Sequence, residues 1–141
     1  MPIRKSNAVW EGKIKEGKGT MKLGSGAFQG NFSFASRFEN GKGTNPEELI
    51  GAAHAGCFSM AFSLMLEEEG FEPKSINTDA SVSIEQKGGA FAITTIKLST
   101  EADIPGIDKE KFLQIAEKAK GNCPVSKALQ GVDISLEAKL K

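Results

Sequence analysis

Two cysteines, each in a distinctive frame, are the residues of this chain best suited to chemistry. Cys57 lies inside the apolar run Leu49–Leu66, and Cys123 lies in Gly121-Asn122-Cys123-Pro124-Val125-Ser126. An isolated pair of this kind suits reagents better than a structural staple. Cys123 precedes a proline at a helix start. Unpaired backbone amides and the positive end of the helix dipole there lower a thiol pKa from its free value of about 8.5. On that chemistry alone Cys123 is the first candidate for the nucleophile; the plainer reading is a small residue at a helix cap. Cys57, mid-helix among apolar neighbours, reads as a small core residue with a raised pKa. A buried positive charge beside it would make it a thiolate.

Arg37 could supply that charge from the end of a phenylalanine-rich segment, although an arginine at a strand edge usually faces solvent. A buried arginine needs a carboxylate partner, and Glu47 is the candidate, with Glu48 beside it. Glu47 precedes Cys57 on the same helix by about 15 Å of rise. A glutamate acting at the cysteine is therefore expected to come from a second subunit. His54, the only histidine, stands three residues before Cys57 on a neighbouring helical position. It could serve as a base, though a hydrogen-bonded histidine in a helix interface is the plainer reading.

These residues need elements to hold them. Ala8–Trp10, Lys13–Lys15 and Thr20–Leu23 read as short strands. The period of two through Phe28, Phe32 and Phe34 predicts another strand over about 28–38. Asn45 as N-cap, Pro46 at the first helical position and Glu47-Glu48 in the first turn predict a helix over about 46–69, stopped by Gly70. Residues 76–84 and 91–100 form a hairpin about Lys87-Gly88-Gly89. Asp108 caps a helix whose apolar face is Phe112, Ile115, Ala116 and Ala119 and which Gly121 ends. Cys123-Pro124 opens a short helix to Leu129, and Val132–Leu140 alternates as a last strand. Strands, helix, hairpin, helices and strand in that order indicate an α+β fold rather than βαβ winding.

With 141 residues the chain is expected to be a single domain, 1–141, with a core that needs no disulfide. Its 18 basic residues balance 18 acidic ones, intermixed, which gives no footprint for nucleic acid or anionic lipid. Met1–Ser6 leads into no apolar stretch, so no secretory signal and a cytoplasmic address are expected. Leu49–Leu66 approaches the length that spans a bilayer. With His54, two serines and two glycines inside it, a buried helix of a soluble protein is the expectation. A helix apolar on nearly every face must be covered all round, and a dimer that packs it near its symmetry mate does this economically. Two cysteines and one histidine fall short of a structural zinc site unless glutamates complete it. Phosphate-loop and Gly-x-Ser-x-Gly patterns are absent, so no cofactor and no metal are expected.

The stretch Arg37-Phe38-Glu39, then Gly43-Thr44-Asn45-Pro46-Glu47-Glu48-Leu49-Ile50-Gly51-Ala52-Ala53-His54-Ala55-Gly56-Cys57-Phe58-Ser59-Met60-Ala61, closely resembles the osmotically inducible protein C (OsmC) family, related to the organic hydroperoxide resistance proteins. Gly121–Ser126 resembles the family's second cysteine motif, and the likeness extends to Ala8-Val9-Trp10-Glu11-Gly12. His54 stands where the hydroperoxide-resistance branch usually has an aromatic residue, which points to the OsmC branch.

The resemblance implies a thiol peroxidase acting on organic hydroperoxides, built as an intertwined α+β homodimer with antiparallel sheets around long central helices and active sites shared between subunits. It reverses the assignment made from chemistry alone. Cys57 matches the peroxidatic cysteine, Cys123 the resolving one, and Arg37 and Glu47 the charged pair that activates the thiolate; Glu48 matches no catalytic residue. A sulfenic acid at Cys57 would condense with Cys123, and a dithiol reductant would reopen the disulfide. Phe34, Phe58 and Met60 are candidate walls of an apolar substrate pocket, or simply core. Two readings compete with the peroxidase: a non-catalytic dimer with inert core cysteines, and a non-catalytic dimeric module of the same fold that binds a ligand or a metal through Cys57, His54 and Cys123.

Overall fold

Asn45 starts the longest helix of the protein as its sequence requires. Its side-chain oxygen accepts the Glu48 backbone N–H at 2.7 Å, and Pro46 opens α2, Pro46–Glu68. Gly70, at φ 86°, ends it, and Phe71 N–H closes back on Leu66 O at 2.9 Å. The computed structural model describes all of residues 1–141. The chain divides into two compact units, Met1–Leu49 and Ile50–Lys141, so α2 begins in the first and runs on through the second.

The first unit holds an antiparallel meander, β1 (Ser6–Glu11), β2 (Lys18–Leu23) and β3 (Gln29–Phe32), in that spatial order. Gly19 of β2 lies under the tilted pair Trp10–Phe32, whose ring centroids are 5.4 Å apart. A Cβ on Gly19 would meet the Phe32 ring at 2.5 Å, so the absence of a side chain lets the rings close over the strand. Two expectations are corrected here. Lys13–Lys15 is not a strand but part of the turn between β1 and β2, closed by Gly17 N–H to Lys13 O. The strand expected to run to about 38 stops at Phe32, and Phe34–Phe38 is a short helix, α1. Ser33 and Ser36 cap it reciprocally, each hydroxyl accepting the other's backbone N–H, at 3.1 and 2.8 Å. That local bonding overrides the period-two phenylalanines.

In the second unit a long hairpin joins β4 (Ser75–Lys87) to β5 (Ala90–Asp103) through Gly88 and Gly89, at φ 62° and 84°. Positive φ at both positions is what a two-residue hairpin turn demands. Next come α3 (Lys109–Asn122), capped by Asp108 on the Lys111 N–H at 2.8 Å, and α4 (Pro124–Ala128). The last strand, β6 (Asp133–Leu140), pairs with β5 in parallel, Ile96 opposite Ile134 and Leu98 opposite Leu136. The second sheet is therefore mixed rather than antiparallel throughout. A parallel partner needs a crossover, and α3 with α4 provides it, so one βαβ unit is embedded in the α+β fold.

The core of this unit is Phe58, Phe62 and Leu66 of α2, Ile96, Leu98 and Ala102 of β5, and Phe112, Ile115, Ala116 and Ala119 of α3. The α3 members are the apolar face read from the sequence. Phe62 joins the layers, 5.6 Å from both Phe58 and Phe112 between ring centroids. Polar contacts fix α2 on the sheet: Ser59 Oγ lies 2.8 Å from Thr78 Oγ1, which lies 2.9 Å from Thr100 Oγ1. By length and composition α2 could cross a bilayer. Here one stripe packs on the sheet, and the opposite stripe leaves Met60 77% and Leu64 56% exposed.

Candidate active site

In the first unit the link between α1 and α2 assembles a charged pair. Ser36 Oγ donates to Thr44 O at 2.7 Å, and Asn45 Nδ2 donates to Ser36 O at 3.1 Å, tying the end of α1 to the start of α2. This clasp sets Arg37 against Glu47. Nη2 donates to Oε1 at 2.7 Å, and Nε donates to Oε1 and Oε2 at 3.1 and 3.3 Å. Glu47 is buried while the arginine side chain is 36% exposed, so the pair has one end in protein and one in an open groove. Glu48 accepts from Thr44 Oγ1 at 2.8 Å instead and takes no part.

The groove beside Arg37 holds about 200 Å³ and is lined by Trp10, Ile14, Phe32, Phe34 and Phe38 with Arg37 itself. Of the expected walls, Phe34 lines this groove. Trp10, Ile14, Phe32 and Phe38 line it without having been expected there; the Ala8–Gly12 match at the chain start was the available signal for Trp10. The other two expected walls lie elsewhere. Phe58 sits in the core, wholly out of solvent, because it shares the inward stripe of α2 with Phe62. Met60 is on the outward stripe.

The second unit brings the cysteines together. Cys57 on α2 and Cys123 at the α3–α4 junction are both free thiols, close enough that each shifts the other's pKa. Cys123 N–H bonds to Ala119 O at 2.9 Å, closing α3 one residue beyond the expected stop, and Pro124 then starts α4. The sulfur of Cys123 is thus placed by the end of one helix and the beginning of the next.

Burial pushes the Cys57 thiol above its ordinary value, and Cys123 adds to this against the Val125 backbone. Burial works against the Cys123 thiolate too. Polar groups of Cys57, Ser126 and Val125 around the sulfur outweigh it, bringing Cys123 below the ordinary thiol range. In this unit Cys123 is thus the more acidic of the two thiols, and a thiolate at Cys57 takes a positive charge beside it.

His54 is completely buried, and its Nε2 lies 2.7 Å from Ser126 Oγ. It turns to the serine rather than to either sulfur, and burial lowers its pKa. No three His, Cys, Asp or Glu side chains gather to hold a metal ion. Ser126 was quoted only as part of the cysteine motif; its contact with a histidine 72 residues away could not be read from sequence.

The family model for OsmC-like protein matches residues 39–137. Peroxiredoxin OsmC of Escherichia coli strain K12 is 55% identical over 139 residues, which cover 98% of this chain and 96% of that protein. An organic hydroperoxide resistance protein of Xanthomonas axonopodis is 35% identical over 98 residues, 68% of this chain and 67% of the relative. Among solved structures, an organic hydroperoxide resistance protein from Elizabethkingia anophelis superposes with TM-score 0.72 at 25% identity, covering 99% of each chain. With Cys57, Cys123 and Glu47 all inside the matched segment, and with relatives aligned over nearly its full length, the chain belongs to the OsmC-like protein family.

Proposed function

We propose that this protein is a cysteine-based peroxidase that reduces organic hydroperoxides to alcohols and is recycled by a dithiol. The observation that carries the reading is the neighbouring pair of free thiols, Cys57 and Cys123. One sulfur can be oxidised while the other is already within reach to resolve it. Relatives named peroxiredoxin and organic hydroperoxide resistance protein support the same class of activity.

In this reading the Cys57 thiolate attacks the distal peroxide oxygen. The O–O bond breaks, sulfur is oxidised to a sulfenic acid, and the alkoxide leaves as the alcohol after taking a proton. Cys123 then attacks the Cys57 sulfur; an S–S bond forms, the S–O bond breaks, and water departs. The external dithiol reduces the disulfide by exchange. Arg37, held by Glu47, supplies the charge that brings the Cys57 proton off. The apolar groove at Arg37 suits an alkyl or aryl hydroperoxide better than strongly hydrated hydrogen peroxide.

A homodimer with shared sites is part of the proposal. Glu47 and Cys57 are separated by about 15 Å of helical rise along α2, which favours a charged pair donated by the second copy. The exposed Met60 and Leu64 stripe gives that copy an apolar surface to cover. The passage of α2 through both compact units supports reading 1–141 as one domain. Two free cysteines fit a reducing, cytoplasmic setting.

The test is consumption of cumene hydroperoxide and of hydrogen peroxide, with a dithiol reductant, by the native protein and by Cys57→Ser. Preferential loss of the organic peroxide, abolished in the variant, is the expected result. A native protein with confirmed free thiols that consumes neither would overturn the reading and leave the non-catalytic dimer in its place.

A further inference from the structure

The groove beside Arg37 has a cation at each end of its aromatic wall. Phe34 and Phe38 stack with ring centroids 5.0 Å apart. The Arg37 guanidinium lies 5.3 Å from the Phe38 centroid, and the Lys15 ammonium lies 5.8 Å from the Phe34 centroid. Both are within the roughly 6 Å over which a ring face attracts a cation. The order along the wall is therefore Lys15, Phe34, Phe38, Arg37, and all four belong to the first unit.

The turn between β1 and β2 puts Lys15 there. Gly12, at φ 96°, begins the turn, and its carbonyl accepts from Trp10 Nε1–H at 2.9 Å. Gly17 N–H closes it on Lys13 O at 2.7 Å. The limbs come so near that a Cβ on Gly17 would meet Glu11 O at 2.6 Å. Ile14 and Lys15 form the crest of this pinched turn. Ile14 lines the groove while 63% exposed, so an apolar ligand that covers it removes aliphatic surface from water.

The two cations differ in what they can still bind. Glu47 already grips Arg37 at 2.7 Å, so an arriving carboxylate would meet another carboxylate there. A neutral peroxide oxygen escapes that repulsion. Lys15 makes no ion pair, and its exposed ammonium keeps its charge open to an anion. Between them the lining is apolar: Trp10, Ile14, Phe32, Phe34 and Phe38.

We propose that Lys15 is a specificity-determining residue that reads a carboxylate at the far end of an alkyl hydroperoxide, with the chain lying along the Phe34–Phe38 wall. This rests on the peroxidase reading for the placement of the peroxide group at Arg37. The unequal cations orient such a substrate, its neutral end to the arginine and its anionic end to the lysine. Lys15 acts on binding alone and takes no part in breaking the O–O bond. An exposed ion pair changes affinity by about two- to fivefold and is screened by salt. Its loss therefore belongs in KM rather than kcat.

Trp10 is the only tryptophan and lines the groove, so its fluorescence reports occupancy without turnover. The probes are octanoate and methyl octanoate, neither of which can be reduced. Lys15→Gln is expected to weaken octanoate by about two- to fivefold and to leave the ester unchanged. Lys15→Glu should weaken octanoate further, and about 1 M salt should erase the difference between native protein and variants. Lys13→Gln removes the same charge from the same turn outside the groove lining, and is expected to have little effect. The kinetic companion is an ω-hydroperoxy alkanoate beside its methyl ester, where Lys15→Gln should raise KM for the acid alone and leave kcat unchanged. No Trp10 response to octanoate in the native protein, equal weakening of acid and ester, or a Lys13→Gln loss as large as that of Lys15→Gln overturns the proposal. A native protein that binds octanoate through Lys15 yet consumes no hydroperoxide would sink the peroxidase reading and leave the carboxylate contact standing.

Discussion

Arg37 and Glu47 face one another through the Nε and Nη2 edge of the guanidinium, with the shortest contact 2.7 Å from Nη2 to Oε1. A carboxylate gripping that edge fixes the plane of the arginine and hence the direction of its remaining N–H groups. In the proposed peroxidase this ion pair aims a charge. Glu47 keeps the arginine from relaxing into solvent, and the clasp through Ser36, Thr44 and Asn45 keeps α1 and the start of α2 in register.

Arg37→Ala should therefore lower peroxide reduction by more than about a hundredfold, the usual cost of losing a preorganised electrostatic group. Arg37→Lys should recover little of it, since an ammonium cannot occupy the same two-donor geometry. The shared-site dimer adds a sharper expectation. Arg37→Ala and Cys57→Ser, each inactive alone, should regain activity when their subunits are unfolded together and reassembled, to about a quarter of the native sites for random pairing. A mixture that stays inactive although heterodimers form would place both residues in one subunit's site.

Much of this arrangement was legible before the fold was known, and the exceptions share a cause. Asn45-Pro46 and Gly88-Gly89 specify a helix start and a hairpin turn by backbone chemistry alone, and both occur as read. The α1 helix was hidden because Ser33 and Ser36 settle it by a reciprocal bond, while the phenylalanines around them have the spacing of a strand. The parallel seat of β6 depends on where α3 and α4 deliver the chain, which no local pattern encodes. The cysteine roles show the same limit. Chemistry at a helix start points to Cys123 as the more acidic thiol, the direction found in this unit, yet in the proposed peroxidase a charge brought to Cys57 decides the roles, which acidity in isolation does not name.

Phe34 bears on substrate choice. Its ring forms part of the apolar groove beside Arg37 and stacks at 5.0 Å with Phe38. Removing an aromatic wall forfeits about 1.5–3 kcal/mol of apolar contact with a ligand that fills the groove. Phe34→Ala should lower kcat/KM for cumene hydroperoxide by about ten- to a hundredfold, while hydrogen peroxide, too small to use the wall, changes less than about twofold. Equal losses for the two peroxides would mean that the groove does not hold substrate.

His54 makes stability depend on pH in a defined direction. Burial lowers its pKa in the folded protein, and the unfolded chain has the ordinary value of about 6.5. Below that value the unfolded state takes up a proton that the native state refuses, because a proton on the buried, partnerless Nδ1 would strand a charge and a donor together. The contribution of His54 is therefore complete above about pH 6.5 and is lost as pH falls, by at most about 1.4 kcal/mol per pH unit. Titrations common to the two proteins, those of the carboxylates and the cysteines included, cancel in their difference. Urea unfolding of the native protein and of His54→Gln at pH 8 and at pH 5.5 should show the native protein losing more stability on acidification than the variant. Parallel losses would show that His54 can accept its proton without cost.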